Sequence, residues 1–445
     1  MSNLTTLRKI CLVFFFLAFQ GVSASVYSFT SQEEYLSHVQ GPAACVSQQC
    51  HEKFTAGTGK SLHEPVDKGI CFECHRKKSY SGRYGIDADQ RETCTRCHNN
   101  IKDKIESSTS VHSPIMNGSC TSCHDPHQSA WTYLLKQSYS ELCSSCHKAT
   151  RLFSGVIHKP VRDGNCGICH DPHASNYKHR LVDAGVNLCF ICHKEMVQGM
   201  SRKYIHAPII QSGCSACHDP HSGNHEFRLK TSSDQLCFTC HEATLHEIEQ
   251  SAQKHEPARS GKCTSCHSPH YSESRHLLLD SIDTLCYRCH KESSQWKKRR
   301  FLHGPVAQGN CVACHNPHGS DNAFILRLPF PGKFYAEYKK GVYNLCFLCH
   351  KESLMTLETT ETVTRFRNGP VNLHRLHVYQ QKGRTCRACH DVHASDQDGR
   401  IRDEFPFGQV SIRLEYKKTK TGGSCLSGCH KERSYDRVNR VLYEK

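Results

Sequence analysis

The chain has 445 residues, a formal net charge of +15 and an apolar share of only 37%, which already counts its 31 cysteines. A chain this long normally folds as two or three domains around apolar cores, and there is little apolar material here for that. The positive charge would suit nucleic acid or an anionic surface, but no nucleic-acid recognition motif accompanies it.

At the start, Arg8-Lys9, an apolar run from Ile10 to Phe19 and the small-x-small Val22-Ser23-Ala24 read as a secretory signal peptide over 1–24. An uncleaved anchor is the alternative, but ten apolar residues fall well short of the about 20 that a bilayer span needs. Cys11 lies inside the run without the small residues of a lipoprotein site before it. No later segment is apolar enough to span, so an exported, soluble mature chain is expected.

The other 30 cysteines all fall in pairs, each followed directly by histidine. Thirteen pairs have the form Cys-x-x-Cys-His. In chain order they are Cys71, Cys74 and His75; Cys94, Cys97 and His98; Cys120, Cys123 and His124; Cys143, Cys146 and His147; Cys166, Cys169 and His170. Next come Cys189, Cys192 and His193; Cys214, Cys217 and His218; Cys237, Cys240 and His241; Cys263, Cys266 and His267. The last four are Cys286, Cys289 and His290; Cys311, Cys314 and His315; Cys346, Cys349 and His350; Cys386, Cys389 and His390. Two further motifs are stretched: Cys45, Cys50 and His51, and Cys425, Cys429 and His430. A disulfide scaffold gives no reason for a histidine after every pair, and zinc sites do not demand one at that position. Cys-x-x-Cys-His is the attachment signature of c-type haem. On a helical turn the two thiols share a face, and the adjacent histidine turns onto the iron as its proximal ligand. The reading is 15 covalently bound haems c.

After an N-terminal single-motif segment, 25–61, seven doublets begin at Cys71, Cys120, Cys166, Cys214, Cys263, Cys311 and Cys386. The first six starts are 46 to 49 residues apart, an internal repeat whose units contact mainly their neighbours. The two motifs of a doublet are 23 residues apart in the first five, then 35 and 39. This divides the chain into the signal peptide, the monohaem segment, repeated dihaem units over 62–328 and a divergent haem region over 329–445. The fold expected is mostly irregular with short α-helices, an extended multihaem array in which the haems form the core. A minor β-strand is expected near 409–416, where Val410, Ile412, Leu414 and Tyr416 alternate with polar residues. It reads as a covering flap more readily than as a docking surface. Gly422-Gly423 reads as the turn into the last motif.

Nineteen histidines lie outside the attachment motifs. His63, His112, His158, His206, His255 and His303 each stand eight residues before a doublet, followed two residues on by proline, which should keep the segment extended. His374 and His377 stand before the last doublet. His127, His173, His221, His270, His318 and His393 each follow a first motif by three residues, and His38 precedes Cys45. Together they number 15, one sixth ligand for each iron. Repeat 1 lacks its trailing copy, so an open iron, if one exists, is expected near Cys45–His51 or Cys71–His98. His179, His225, His246 and His276 sit at unmatched offsets and read as surface or propionate partners. Methionine is too scarce to be the general ligand. Without Arg8 and Lys9 the charge is +13, and two propionates per haem outweigh it, so nucleic-acid binding is not expected.

The arrangement His-x-Pro-x5-Cys-x-x-Cys-His-x-Pro-His … Leu-Cys-x-x-Cys-His, carried in full by 206–241, resembles the paired-CxxCH multihaem cytochromes. These include the pentahaem donor to periplasmic nitrite reductase and the decahaem conduits seated in outer-membrane porins. The resemblance implies bis-histidine haems relaying electrons between redox partners of the cell envelope in anaerobic or extracellular respiration, with a porin among the partners. The rival is a multihaem reductase of a small oxyanion such as nitrite or tetrathionate, which needs an iron with an exchangeable position. No variant attachment motif with lysine in place of histidine marks one. The mass of the denatured protein should exceed that of the mature chain by 15 haems; an excess of 13 would mean that maturation skips the stretched motifs.

Overall fold

The computed structural model describes residues 61–77, 84–86, 89–147 and 153–443. The expected signal peptide lies outside the described residues. So does the first stretched motif, that is Cys45, Cys50 and His51, together with His38. Contacts divide the chain into two compact units, residues 1–188 with 220–224, and residues 189–219 with 225–445.

The same local pieces recur through both units. A first motif opens as a single 3-10 turn, such as Cys120–Ser122 or Cys263–Ser265. A second motif closes a short α-helix, such as Gln90–Thr95, capped by the Asp89 side chain, or Tyr139–Ser144, capped by a reciprocal Ser138–Glu141 box. In either case the histidine N–H donates to the carbonyl of the first cysteine, at 3.0 Å for His75 to Cys71 and 3.1 Å for His98 to Cys94. The helical turn expected for the motif is therefore present. The residues after a second motif continue as an exposed helix, for example Lys194–Gly199.

The histidine before each doublet is extended, with φ −68° and ψ 134° at His63, but the following proline is not in an extended segment. It lies in the first turn of a short helix, Glu64–Asp67 at Pro65, where its missing N–H costs nothing. The expectation of a fully extended approach is corrected to one extended residue.

Doublets are joined by two-residue antiparallel strands. The strand before each upstream histidine pairs with the strand after the trailing histidine of the next doublet. In the first unit Ser61–Leu62 pairs with Gln128–Ser129, Ser110–Val111 with Ala174–Ser175 and Val156–Ile157 with Ser222–Gly223. In the second unit Tyr204–Ile205 pairs with Tyr271–Ser272, Gln253–Lys254 with Gly319–Ser320 and Phe301–Leu302 with Ala394–Ser395.

Apolar burial is sparse in the repeats, where isolated residues such as Ile115, Leu135 and Ile209 are covered. Beyond residue 329 it becomes a core. One cluster holds Phe334, Ala388 and Phe405 with Ile412; the other holds Tyr343, Met355 and Val378 with Phe330, Tyr338 and Phe347 around them. The expected strand is one of four in an antiparallel sheet: β1 Glu404–Phe407, β2 Val410–Lys418, β3 Gly422–Ser427 and β4 His430–Asp436, in that order. Gly422-Gly423 is not a turn but the start of β3. A Cβ on Gly422 would stand 1.8 Å from the Tyr435 carbonyl oxygen, so the close strand approach requires glycine. The last motif differs accordingly from the others: Cys425 lies within β3, Cys429 in the link to β4 and His430 at the start of β4. The fold is otherwise mostly irregular, with short helices and small sheets, as expected. Among the described residues no helix is long and apolar enough to cross a membrane.

Met355 is only 1% exposed, so Met355→Ala should cost about 2–4 kcal/mol. Hydrogen exchange should show that loss across 343–378 and leave the repeats unchanged.

Candidate metal centres

The histidines singled out in the sequence come together as pairs of nearly parallel rings. In the first unit the centroids are 6.0 Å apart for His63–His98, 5.9 Å for His75–His127, 6.2 Å for His112–His147, 6.0 Å for His124–His173 and 5.9 Å for His170–His221. In the second they are 6.1 Å for His206–His241 and His218–His270, and 6.2 Å for His255–His290 and His303–His350. His267–His318, His315–His393 and His374–His390 stand at 6.3 Å. Interplanar angles run from 6° to 29°. The gap is too wide for ring contact and suits one metal ion between two imidazoles, given metal–imidazole bonds of about 2 Å.

Two rules order the pairs. An upstream histidine faces the second-motif histidine of its own doublet. A trailing histidine faces the first-motif histidine of the doublet before it. His75 therefore meets His127 from repeat 2, and the missing trailing copy in repeat 1 leaves neither of that repeat's motifs short. The expectation of an open position near Cys71–His98 is corrected, since both proximal histidines there have partners. His374 serves the first motif of the Cys386 doublet, from upstream rather than from a trailing position. His377 lies near enough to His430 to feel its charge, yet among the described residues these two rings do not face each other in the paired geometry.

Backbone carbonyls orient the rings. The Nδ1 of His63, His112, His158, His206 and His255 lies 2.8–2.9 Å from the carbonyl of Pro126, Pro172, Pro220, Pro269 and Pro317, and that of His303 lies 3.0 Å from Val392. A carbonyl only accepts, so Nδ1 carries the proton and Nε2 presents its lone pair, the tautomer a metal needs. First-motif histidines do the same nine residues downstream: His124 to Tyr133, His170 to His179, His218 to Phe227, His267 to His276, His315 to Phe324 and His390 to Gly399, at 2.8–3.0 Å. Each acceptor is left-handed, with φ between 56° and 68°. Second-motif histidines instead open the following helix, as His193 does for Lys194–Gly199. Burial holds the buried imidazoles neutral, pushing His374 down to about 3 and His393 to about 4.

The thiols form no disulfide among the described residues. Their exposure follows the type of motif. The second cysteine of a second motif is exposed, at Cys97, Cys146, Cys192, Cys240, Cys289, Cys349 and Cys429. The second cysteine of a first motif is half-buried, at Cys74, Cys123, Cys169, Cys217, Cys266, Cys314 and Cys389. Thiols of successive motifs also lie close enough to interact. In the first unit Cys74 meets Cys97, Cys94 meets Cys120, Cys123 meets Cys146 and Cys143 meets Cys166. In the second unit the series runs Cys217–Cys240, Cys237–Cys263, Cys266–Cys289, Cys286–Cys311, Cys314–Cys346, Cys346–Cys386 and Cys389–Cys425. A shared hydrogen bond holds Cys120 down at about 7 and raises its partner Cys94. These thiols are free to bond a porphyrin edge, and the imidazole pairs fit its iron. The residues fit haem c, which when bound supplies an iron that exchanges one electron.

Sequence reasoning missed the left-handed acceptors, since tyrosine, histidine, phenylalanine and glycine share no residue type; only the constant offset of nine marks them. His179 and His276, read as surface or propionate partners, serve here through their carbonyls. Trp296 was missed as well: its indole stacks on His393 at 3.8 Å and 8°.

The doubled CXXCH motif family matches six successive stretches, residues 63–103, 112–152, 158–198, 206–246, 255–295 and 303–355, together more than half of the chain. Each match begins at an upstream histidine. The chain belongs to this family, the multihaem c-type cytochromes of electron transfer, and these six doublets bind haem c covalently at twelve sites. No curated protein matches the chain.

A left-handed, non-glycine residue is strained by about 1–2 kcal/mol, partly offset against the about 0.5–1 kcal/mol that glycine loses in entropy on folding. Phe227 is 67% exposed, so its ring contributes little packing. Phe227→Gly should therefore stabilise the protein by roughly 0.5 kcal/mol, read as a higher unfolding midpoint. Phe227→Pro, which cannot adopt positive φ, should lower it.

Proposed function

We propose that this cytochrome is an electron relay carrying 15 haems, the two stretched motifs included, and that the haems are mainly bis-histidine. It is exported to the periplasm or the outer membrane, receives electrons from one redox protein and passes them to another, in respiratory or extracellular electron transfer. It needs no catalytic residue. The observation that supports this best is the succession of adjacent thiols within each unit. Groups attached at neighbouring thiols would lie close to one another, as hopping from one to the next requires. The paired neutral imidazoles support it from the other side, because two histidines per iron leave no position for substrate and favour a low potential.

A reductase remains the second reading, and among the described residues the terminal motif favours it, where His430 lies on β4 and His377 is not ring-paired with it. Carbon monoxide difference spectra and electron paramagnetic resonance separate the two. A relay gives ferric spectra that are low-spin throughout and no stoichiometric carbon monoxide adduct. One high-spin haem that binds carbon monoxide and turns over nitrite or tetrathionate overturns the relay reading. In a relay, His221→Ala should create one high-spin, carbon monoxide-binding haem, at the motif of His170, and leave the others low-spin.

A further inference from the structure

Six residues beyond the attachment histidine of a second motif stands a residue that differs in each of the first five doublets: Lys104, Phe153, Gly199, Glu247 and Trp296. Lys104, Gly199, Glu247 and Trp296 lie on the helix that follows the motif. Four of these are described against a common target, the turn bearing a trailing histidine two doublets further on. Lys104 pairs with Asp171, which receives the backbone N–H of His173 at 2.9 Å. Gly199 leaves room for Tyr271, next to His270; a Cβ there would stand 2.0 Å from the tyrosine ring. Glu247 accepts the Asn316 amide at 2.7 Å and holds its second oxygen 3.5 Å from Nδ1 of His318. Trp296 covers the face of His393. One helix position thus meets the imidazole's surroundings as cation, gap, carboxylate or indole, while the ring pairing stays constant.

The repeat chemistry explains the need at Glu247. The turn after a first motif has aspartate two residues before the trailing histidine at Asp125, Asp171, Asp219 and Asp391, but serine at Ser268, which Gly199 leaves without a carboxylate, and asparagine at Asn316. Glu247 returns a carboxylate to that turn from another doublet, nearer to the ring than Asp125 is to His127, at 3.7 Å. At the equivalent place Lys104 neutralises Asp171. A negative charge beside an iron ligand favours the ferric state, and a group hydrogen-bonded or facing the outer ring nitrogen tunes the metal through it.

We propose that this helix position sets the relative reduction potentials of the first-motif haems, Glu247 lowering that of the haem held by His267 and His318 and Lys104 raising that of the haem held by His124 and His173. Both are positioning residues acting through a ligand, and the inference rests on the bis-histidine reading above. Glu247 and Arg327 line the same open cleft, so the carboxylate is partly screened, and the effect is modest: roughly a tenfold change in the ferrous-to-ferric ratio of one haem at fixed potential.

The test is potentiometric titration of the whole holoprotein, with haem content and low-spin count measured on each variant. Glu247→Gln should move one haem's share of the amplitude to higher potential; Lys104→Gln should move one haem's share to lower potential. Glu247→Asp should keep the carboxylate charge and restore most of the wild-type curve. A merely structural role would shift both variants the same way or lose haem. Curves superimposable on wild type at full haem loading would overturn the inference, whereas high-spin haems already present in the wild type would instead overturn the bis-histidine reading.

Discussion

The structure depends on one hydrogen bond used over and over, from the Nδ1–H of an imidazole to a backbone carbonyl. It fixes the tautomer, aims Nε2 and thereby places the lone pair, without spending a side chain on the task. Because the acceptors are carbonyls, almost any residue can occupy the acceptor position. The carbonyl must nevertheless point at the ring, and the chain achieves this with left-handed residues at Tyr133, His179, Phe227, His276 and Phe324. Such strain persists only where the surroundings over-determine it. Here a bridge from the attachment histidine to Leu135, Leu181, Leu229, Leu278 or Leu326 closes each loop.

The same economy explains why so little apolar core is needed between residues 61 and 325. Each doublet is held to the next by two-residue strands and by imidazoles meeting in pairs, as in repeat proteins whose stability is the sum of neighbour terms. The C-terminal region is built differently, its first-motif His390 pairing with the upstream His374. It is there that aromatic residues gather around Phe334 and Tyr343 and that a four-stranded sheet forms. His374 and His377 stand together on the short helix Leu373–Val378, which supplies locally the ligand that every earlier first motif receives from its neighbour.

Which cysteines carry the doubled motif and which histidines take part in ring pairs was legible in the sequence, because both recur at constant offsets. The pairing was not. His75 finds His127 rather than His63, and only the strand register, with Ser61 opposite Ser129, decides between them. Periodicity disclosed β2 because Val410, Ile412, Leu414 and Tyr416 alternate; β3 was hidden because Gly422-Gly423 and an attachment motif both read as punctuation. Trp296 and Glu247 were invisible for a different reason: their importance lies in what they touch two doublets away, and a position that changes residue in every repeat leaves no pattern to find.

The crossing of trailing histidines between doublets means that the array is not modular at its apparent unit. As the chain emerges from N- to C-terminus, the first motifs of the first five doublets receive their attachment histidines some 50 residues before their partners arrive, and His315 waits longer for His393. Each of these doublets is thus completed by the next; only His390 finds its partner, His374, already made. Cut at any doublet boundary, such an array ends on a lone imidazole. Lengthening it by duplication is safe only upstream of the segment carrying His374 and His377, which acts as a terminator. A doublet inserted among the repeats would thus keep every first-motif histidine paired, whereas one inserted between His374 and His390 would part a pair.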